Sequence, residues 1–222
     1  HTTFFEMLGN WSLGDYFKED AIKWSYELLT SKTEGFGLDQ KRLYITVFKG
    51  DENAPADVES AKIWEKVGIP KNRIYFLPAE KNWWSAGING PCGPDTEMYY
   101  DLTEKGLGSL THEQFLEADK QQQVVEIWND VFMEYLKKDG KVVGKLSQRN
   151  VDTGAGLERI CAVLQKKTSV FETDAFAPIM ERLDELAPNS DIRAKRIIAD
   201  HVRTAVFMIA DGVMPSNSDR GY

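Results

Sequence analysis

Asp152 stands just ahead of two closely spaced glycines, Gly154 and Gly156, and Glu158-Arg159 follow at the head of an apolar-striped stretch. Glycines at that spacing let a ligand approach the backbone closely. A guanidinium such as that of Arg159 can lie flat on an aromatic ring system or pair with phosphate. The chemistry on offer is capture of a nucleotide or another anion beside a carboxylate. Two familiar phosphate loops are excluded. No Gly-Lys-Ser/Thr follows the glycines, and Arg159 occupies the place of the third glycine in a dinucleotide fingerprint. Asp152 has a second reading, as a simple cap on the helix that follows.

Three further groups of residues could carry chemistry. In Ile127-Trp128-Asn129-Asp130-Val131 a strand's period of two puts Ile127, Asn129 and Val131 on one face, with Trp128 and Asp130 on the other. A lone asparagine among apolar residues must find partners if it is buried. Lys18 falls in the first turn of a predicted helix, where the dipole favours an acid, so a cation there suits an incoming anion. Asn82-Trp83-Trp84 precedes the rigid turn Gly90-Pro-Cys-Gly-Pro94, and a tryptophan so placed can wall a small pocket or serve as core. Asp200, His201 and Arg203 cluster on one helix, but one histidine with one acid is a poor metal ligand set, and a polar surface reads better. No residue group suggests a resident metal. Cys92 reads as a turn residue and Cys161 as core.

The elements that must position these residues follow from periodicity and turn chemistry. Strands are expected at Phe4–Leu8, Leu43–Phe48, Asn72–Leu77, Glu97–Tyr100 and Val124–Leu136. Helices are expected over Tyr16–Leu29 (stripe Phe17, Ala21, Trp24, Leu28), Asp57–Val67, Gly156–Lys166 (stripe Leu157, Ile160, Cys161, Leu164), Asp174–Leu186 and Ile192–Ala210 (stripe Ile198, Val202, Ala205, Ile209). Leu102–Gln123 reads as a polar loop. Strands with interspersed helices suit an α+β fold with a largely antiparallel sheet.

At 222 residues, with 42% hydrophobic and 28% charged residues, the chain can bury a substantial core. No stretch nears the roughly 18 apolar residues of a membrane span, no signal peptide is visible, and two cysteines give no disulfide framework, so the cytoplasm is expected. A net charge of −8 without any long basic run argues against stand-alone nucleic-acid binding. Any nucleic-acid partner would be gripped mainly by parts outside this chain.

Taken in order, these stretches resemble class II aminoacyl-tRNA synthetases, and among them the alanyl-tRNA synthetase family. Val151 to Arg159 is similar to motif 3. His1 to Lys18 resembles motif 2 nearly letter for letter, without the arginine that precedes it in the family. Asn82-Trp83-Trp84 resembles an Asn-Phe-Trp element, Ile127 to Val131 an Ile-Trp-Asn-x-Val element, and Ala210 to Tyr222 the lead into a tRNA-binding region. The chain departs from the pattern at Ile88-Asn89 and at Asp95, where relatives often carry Asp-Thr and Cys. The resemblance implies a class II sheet flanked by helices with a C-terminal helical segment. It implies residues 1–166 as an adenylation core lacking motif 1, and 167–222 as the start of a tRNA-recognition region. It further implies ATP and Mg2+ as cofactors, and L-alanine and the tRNA(Ala) acceptor stem as partners. Lys18, Trp84, Ile127, Trp128, Asn129, Gly156 and Arg159 are implied at ATP, with Arg159 catalytic. Asn129, Val131, Asp152 and Trp84 are implied at alanine, Asp152 taking the α-ammonium. A catalytically inactive homologue, serving as a binding or regulatory module, is the alternative.

Overall fold

The computed structural model describes residues 2–222; His1, which opens the motif-2-like stretch, lies outside the described residues. The backbone divides into two compact units, Leu8–Ala155 and the segment ending at Met7 joined with Gly156–Tyr222.

The first unit is built on strands β1 (Met7–Leu8), β2 (Trp11–Leu13), β3 (Leu43–Phe48), β4 (Ile74–Leu77), β5 (Trp83–Ser85), β6 (Gly90–Asp101), β7 (Val124–Lys138) and β8 (Lys141–Gly156). They form one eight-stranded sheet in the order β1-β8-β7-β6-β3-β4, with β2 also on β8 and β5 also on β6. The pairings of β2 with β8, β3 and β5 with β6, β6 with β7 and β7 with β8 are antiparallel; β3 runs parallel to β4. The sheet is thus largely antiparallel, as expected. The run Leu43–Phe48 is buried at every position, which is why it is apolar at all but Thr46 instead of alternating.

Helices α1 (Lys18–Thr30) and α2 (Val58–Val67) cover one face. Ser25 on α1 donates to Asp130 on β7, Trp64 on α2 donates to Thr96 on β6, and Thr96 and Asp130 oppose each other across the strands. α2 starts where the Asp57 side chain accepts from the Ser60 N–H, and it stops at Gly68, whose φ of 114° a side chain would resist. The buried stripe of α1 is Lys18, Ala21, Ile22, Ser25 and Leu29, not the one anticipated, and Trp24 is half exposed.

Several elements differ from the sequence reading. Gly90 to Pro94 is the start of β6 instead of a turn, and Cys92 is fully buried there beside Phe48, Ala54 and Tyr135. Phe4 to Glu6 lies outside the short β1, and β2 follows it. The polar 102–123 segment contains α4 (His112–Lys120), opened by a capping box between Thr111 and Gln114, and its Phe115 fills a cluster of Tyr44, Tyr75 and Tyr99. Between these lies the short α3 (Ala79–Asn82).

The second unit contains α5 (Leu157–Leu164), α6 (Ala177–Leu186) and α7 (Ile192–Ala210). Arg203 organises it. Its guanidinium lies 2.7 Å from Glu158, donates to the Phe4 carbonyl, and sits over the rings of Phe4, Phe176 and Phe207. The inward face of α7 therefore runs through Lys195, Ala199 and Arg203, and the anticipated Ile198, Val202 and Ile209 are exposed. In α5 the buried residues are Glu158, Ile160, Ala162 and Val163, and Leu164 is exposed. No helix of the described residues is long and apolar enough to cross a membrane.

Candidate active site

Strand register brings three of the four anticipated amino-acid residues, Asn129, Val131 and Asp152, onto one face of the sheet, the one opposite α1 and α2. Val131 on β7 opposes Asp152 on β8 and Asp95 on β6; two residues along, Asn129 opposes Gly154 and Glu97, and Glu97 in turn opposes Thr46 on β3. Directly opposed residues in an antiparallel pair share a face, and so do residues two apart. Val131 is buried, whereas Asn129 and Asp152 are partly exposed. The Asn129 Oδ1 is buried and has no hydrogen-bond partner. An orphaned buried acceptor costs free energy until a donor reaches it.

This face is lined with carboxyl groups. Burial pushes the Asp95 carboxyl up to about 7, against the opposing hydrogen bond from Asn82. Burial, then the neighbouring Asp95 and Glu126, push Glu97 up to about 8. Tyr99 donates its hydroxyl to Glu97 at 2.9 Å, and burial pushes that phenol far above its usual range. Carboxylates and an unpartnered amide oxygen together suit a cationic hydrogen-bond donor such as a primary ammonium. Asn82, Asp95 and Glu97 have no role at the site in the sequence reading: Asn82 enters it only with the tryptophans and Asp95 only as a departure from the family pattern, although Asp95 and Glu97 stand two apart in the chain.

Two anticipated residues point elsewhere. Lys18 is buried on the helix side, its Nζ 2.8 Å from Asp57 and 3.8 Å from Glu134, over the Phe132 ring. Its charge is already met, and it braces α1 against α2. Trp128 donates its indole N–H to Ser25 on α1, so its ring lies on the face away from Asn129. Ile127 is buried at an irregularity in the β6–β7 register. Trp84 pairs with Gly93 at the β5–β6 edge and is partly exposed, while Trp83 packs on Phe48 and Tyr135.

The glycine segment is not a turn. Asp152 to Gly156 continue β8 as strand, and Gly156, at φ −72°, ends the strand and caps α5 directly. Arg159 lies in the first turn of α5, partly buried. The acid beside it, Glu158, accepts from the Glu6 N–H and pairs with Arg203, so it is structural within its unit. Asp200 accepts from Thr3, and His201 is exposed.

A family model described as tRNA synthetases class II (A) matches residues 1–222. The chain belongs to the class II tRNA synthetases. Within that family it is similar to proteins named Alanine--tRNA ligase: 48% identical to one from Borreliella afzelii (strain PKo), with all of this chain and 38% of the relative covered. It is 46% identical to one from Rubrobacter xylanophilus, again over its whole length and 26% of the relative. A third, from Treponema pallidum, is 47% identical over 37% of its length. The chain thus spans well under half the length of these synthetases.

Proposed function

We propose that this chain is the aminoacylation core of an alanine–tRNA ligase, residues 1–166 forming the adenylating part and 167–222 beginning the tRNA-recognition region. The observation that carries the reading is the face on which Val131, Asp152 and the unpartnered Asn129 Oδ1 converge. Asp152 and Asn129 receive the α-ammonium of alanine, and Val131 bounds the space left for its methyl group. Trp84 closes that pocket from the β5 edge. Trp84, Ile127 and Asn129 serve the nucleotide from the first unit, and Gly156 and Arg159 serve it through the motif 3 pattern, Arg159 meeting the adenine or the γ-phosphate. Lys18 and Trp128 support this site through the packing of α1.

The reaction has two balanced steps. The alanine carboxylate oxygen attacks the α-phosphorus of ATP in line, forming alanyl-adenylate as the bond to pyrophosphate breaks. A terminal ribose hydroxyl of tRNA(Ala) then attacks the acyl carbon, releasing AMP and a proton. What such a site supplies is positioning and charge complementarity, with no covalent enzyme intermediate. Among the described residues no group of three or more His, Cys, Asp or Glu side chains could hold a metal ion. Mg2+ usually binds through one or two carboxylates plus substrate phosphates, so it would enter as part of the Mg·ATP substrate. A net charge of −8 supports a reading in which this chain carries little of the grip on tRNA, and the proposed place of action is the cytoplasm. The test is ATP–pyrophosphate exchange by the full-length protein with each of the common amino acids. Exchange driven best by alanine supports the reading; exchange driven best by another amino acid, or none, overturns it.

A further inference from the structure

Only one end of the Asn129 side-chain amide can serve an incoming ammonium, and the structure shows what selects it. An amide carries two donors on nitrogen and an acceptor on oxygen, whereas an ionised carboxylate only accepts. Asp95, 3% exposed, receives Asn82 Nδ2 on its Oδ1 at 3.0 Å. Asn82 is itself fully buried, and the same Nδ2 reaches Thr46 Oγ1 at 2.9 Å, so this donor is anchored to β3. Asn129 lies diagonally across from Asp95 on the same face, because Asp95 opposes Val131 and Asn129 opposes Glu97. Diagonal neighbours on one face come within side-chain reach of each other, and the Asn129 amide lowers the pKa of the Asp95 carboxyl against the larger effect of burial. The Asn129 Oδ1 is buried and unpartnered, which leaves Nδ2 as the end of the amide available to Asp95.

We propose that Asp95 is a positioning residue for amino-acid recognition: in its ionised, acceptor-only form, between two amides, it holds Asn129 with Oδ1 presented to the ammonium of the bound amino acid. The inference rests on the reading of this face as the alanine pocket. It explains why a costly buried acid stands here, where the resemblance led to expect cysteine. It also explains why the neighbouring Asn82, outside the expected pocket, is wholly buried. Replacing Asp95 by asparagine keeps the shape but sets a donor against one of the two amides. The less anchored amide, that of Asn129, then turns over and offers its Nδ2 to the ammonium.

The test measures alanine and ATP dependence of pyrophosphate exchange in the full-length protein. Asp95→Asn should raise the KM for alanine about tenfold or more, as expected for loss of a hydrogen bond to a charged group. The KM for ATP and kcat should stay within about twofold, because Asn129's backbone and the fold are retained. The double variant Asn82→Asp, Asp95→Asn re-creates an acid–amide–amide chain with the polarity needed at Asn129, and should recover most of the alanine affinity. A purely structural role would not show this split or this rescue. An unchanged alanine KM in Asp95→Asn overturns the inference, as does a double variant no better than the single one when both melt like the parent protein. Should Asp95→Asn not fold, Asp95→Ala removes the acceptor without opposing donors and carries the same expectation and the same contradiction. Absence of alanine-dependent exchange from the unaltered protein would instead overturn the synthetase reading itself.

Discussion

The ammonium of Lys18 lies 2.8 Å from the Asp57 carboxylate, and both side chains are almost wholly withdrawn from solvent. Asp57 is also the cap of α2, accepting from the Ser60 N–H and hydroxyl. One ion pair thus ties the first turn of α1 to the first turn of α2, behind the face that carries Asn129 and Asp152. Breaking a buried pair from one side leaves an uncompensated charge, so Lys18→Ala should lower stability by about 3–5 kcal/mol. Denaturant unfolding checks this. The same variant should leave the ATP KM nearly unchanged under conditions where it is folded. Full stability with a weakened ATP affinity would return Lys18 to the nucleotide.

Asp130 yields a pH prediction. It is fully buried, its Oδ1 accepts from Ser25 and Thr153, its Oδ2 has no partner, and burial pushes its carboxyl up to about 7. A raised folded-state pKa means that the folded protein holds the proton more tightly than the unfolded chain. Its contribution is fully present below the ordinary value near 3.8 and is lost as pH rises to about 7. Asp95 and Glu97, at about 7 and about 8, act in the same direction. Asp130→Asn removes one of these titrations. It should raise Tm at pH 8.5 and narrow the difference in Tm between pH 5 and pH 8.5. A steeper dependence on pH in the variant would refute the assignment.

Val131 sets a size prediction. It is 4% exposed between Asp95 and Asp152, and in the proposed pocket its methyl groups limit what fits beside the ammonium. Val131→Ala should favour 2-aminobutyrate relative to alanine by about tenfold in kcat/KM for exchange, since one methylene discriminates by about 1–3 kcal/mol. The unaltered pocket should reject glycine and serine by only about 10–200-fold for the same reason. Rejection of serine by more than about a thousandfold in the adenylation step would contradict this wall.

Much of this arrangement was legible in the residues, and the rest had a physical reason to stay hidden. Leu43–Phe48 and Val124–Leu136 announce themselves as strands through β-branched and aromatic runs, and the sheet follows from them. The stripe of α1 was misread because two of its buried positions, Lys18 and Ser25, are polar and are satisfied by Asp57 and Asp130. Hydropathy cannot see a polar group whose partner lies 39 or 105 residues away. α7 was misread in the same manner, since Arg203 faces inward on aromatic rings and Glu158 while isoleucines face out. The α4 helix did leave a signal, Thr111 followed three residues later by Gln114, inside a stretch whose polarity suggested a loop. Asn129, Val131 and Asp152 were recoverable from motif and strand period. Asp95 and Asn82 were not, because only the register of β6 on β7 and the hydrogen bonds of Asn82 to Thr46 and Asp95 show what they face.

Calorimetric titration of alanine into the full-length protein tests most directly whether Asp152 and Asn129 receive its ammonium. Asp152→Asn preserves side-chain shape and removes the counter-charge. A hydrogen bond to a charged group contributes roughly 1.5–3 kcal/mol, so alanine affinity should fall about tenfold to a hundredfold in a variant that melts like the parent protein. Alanine affinity unchanged by Asp152→Asn would contradict the account.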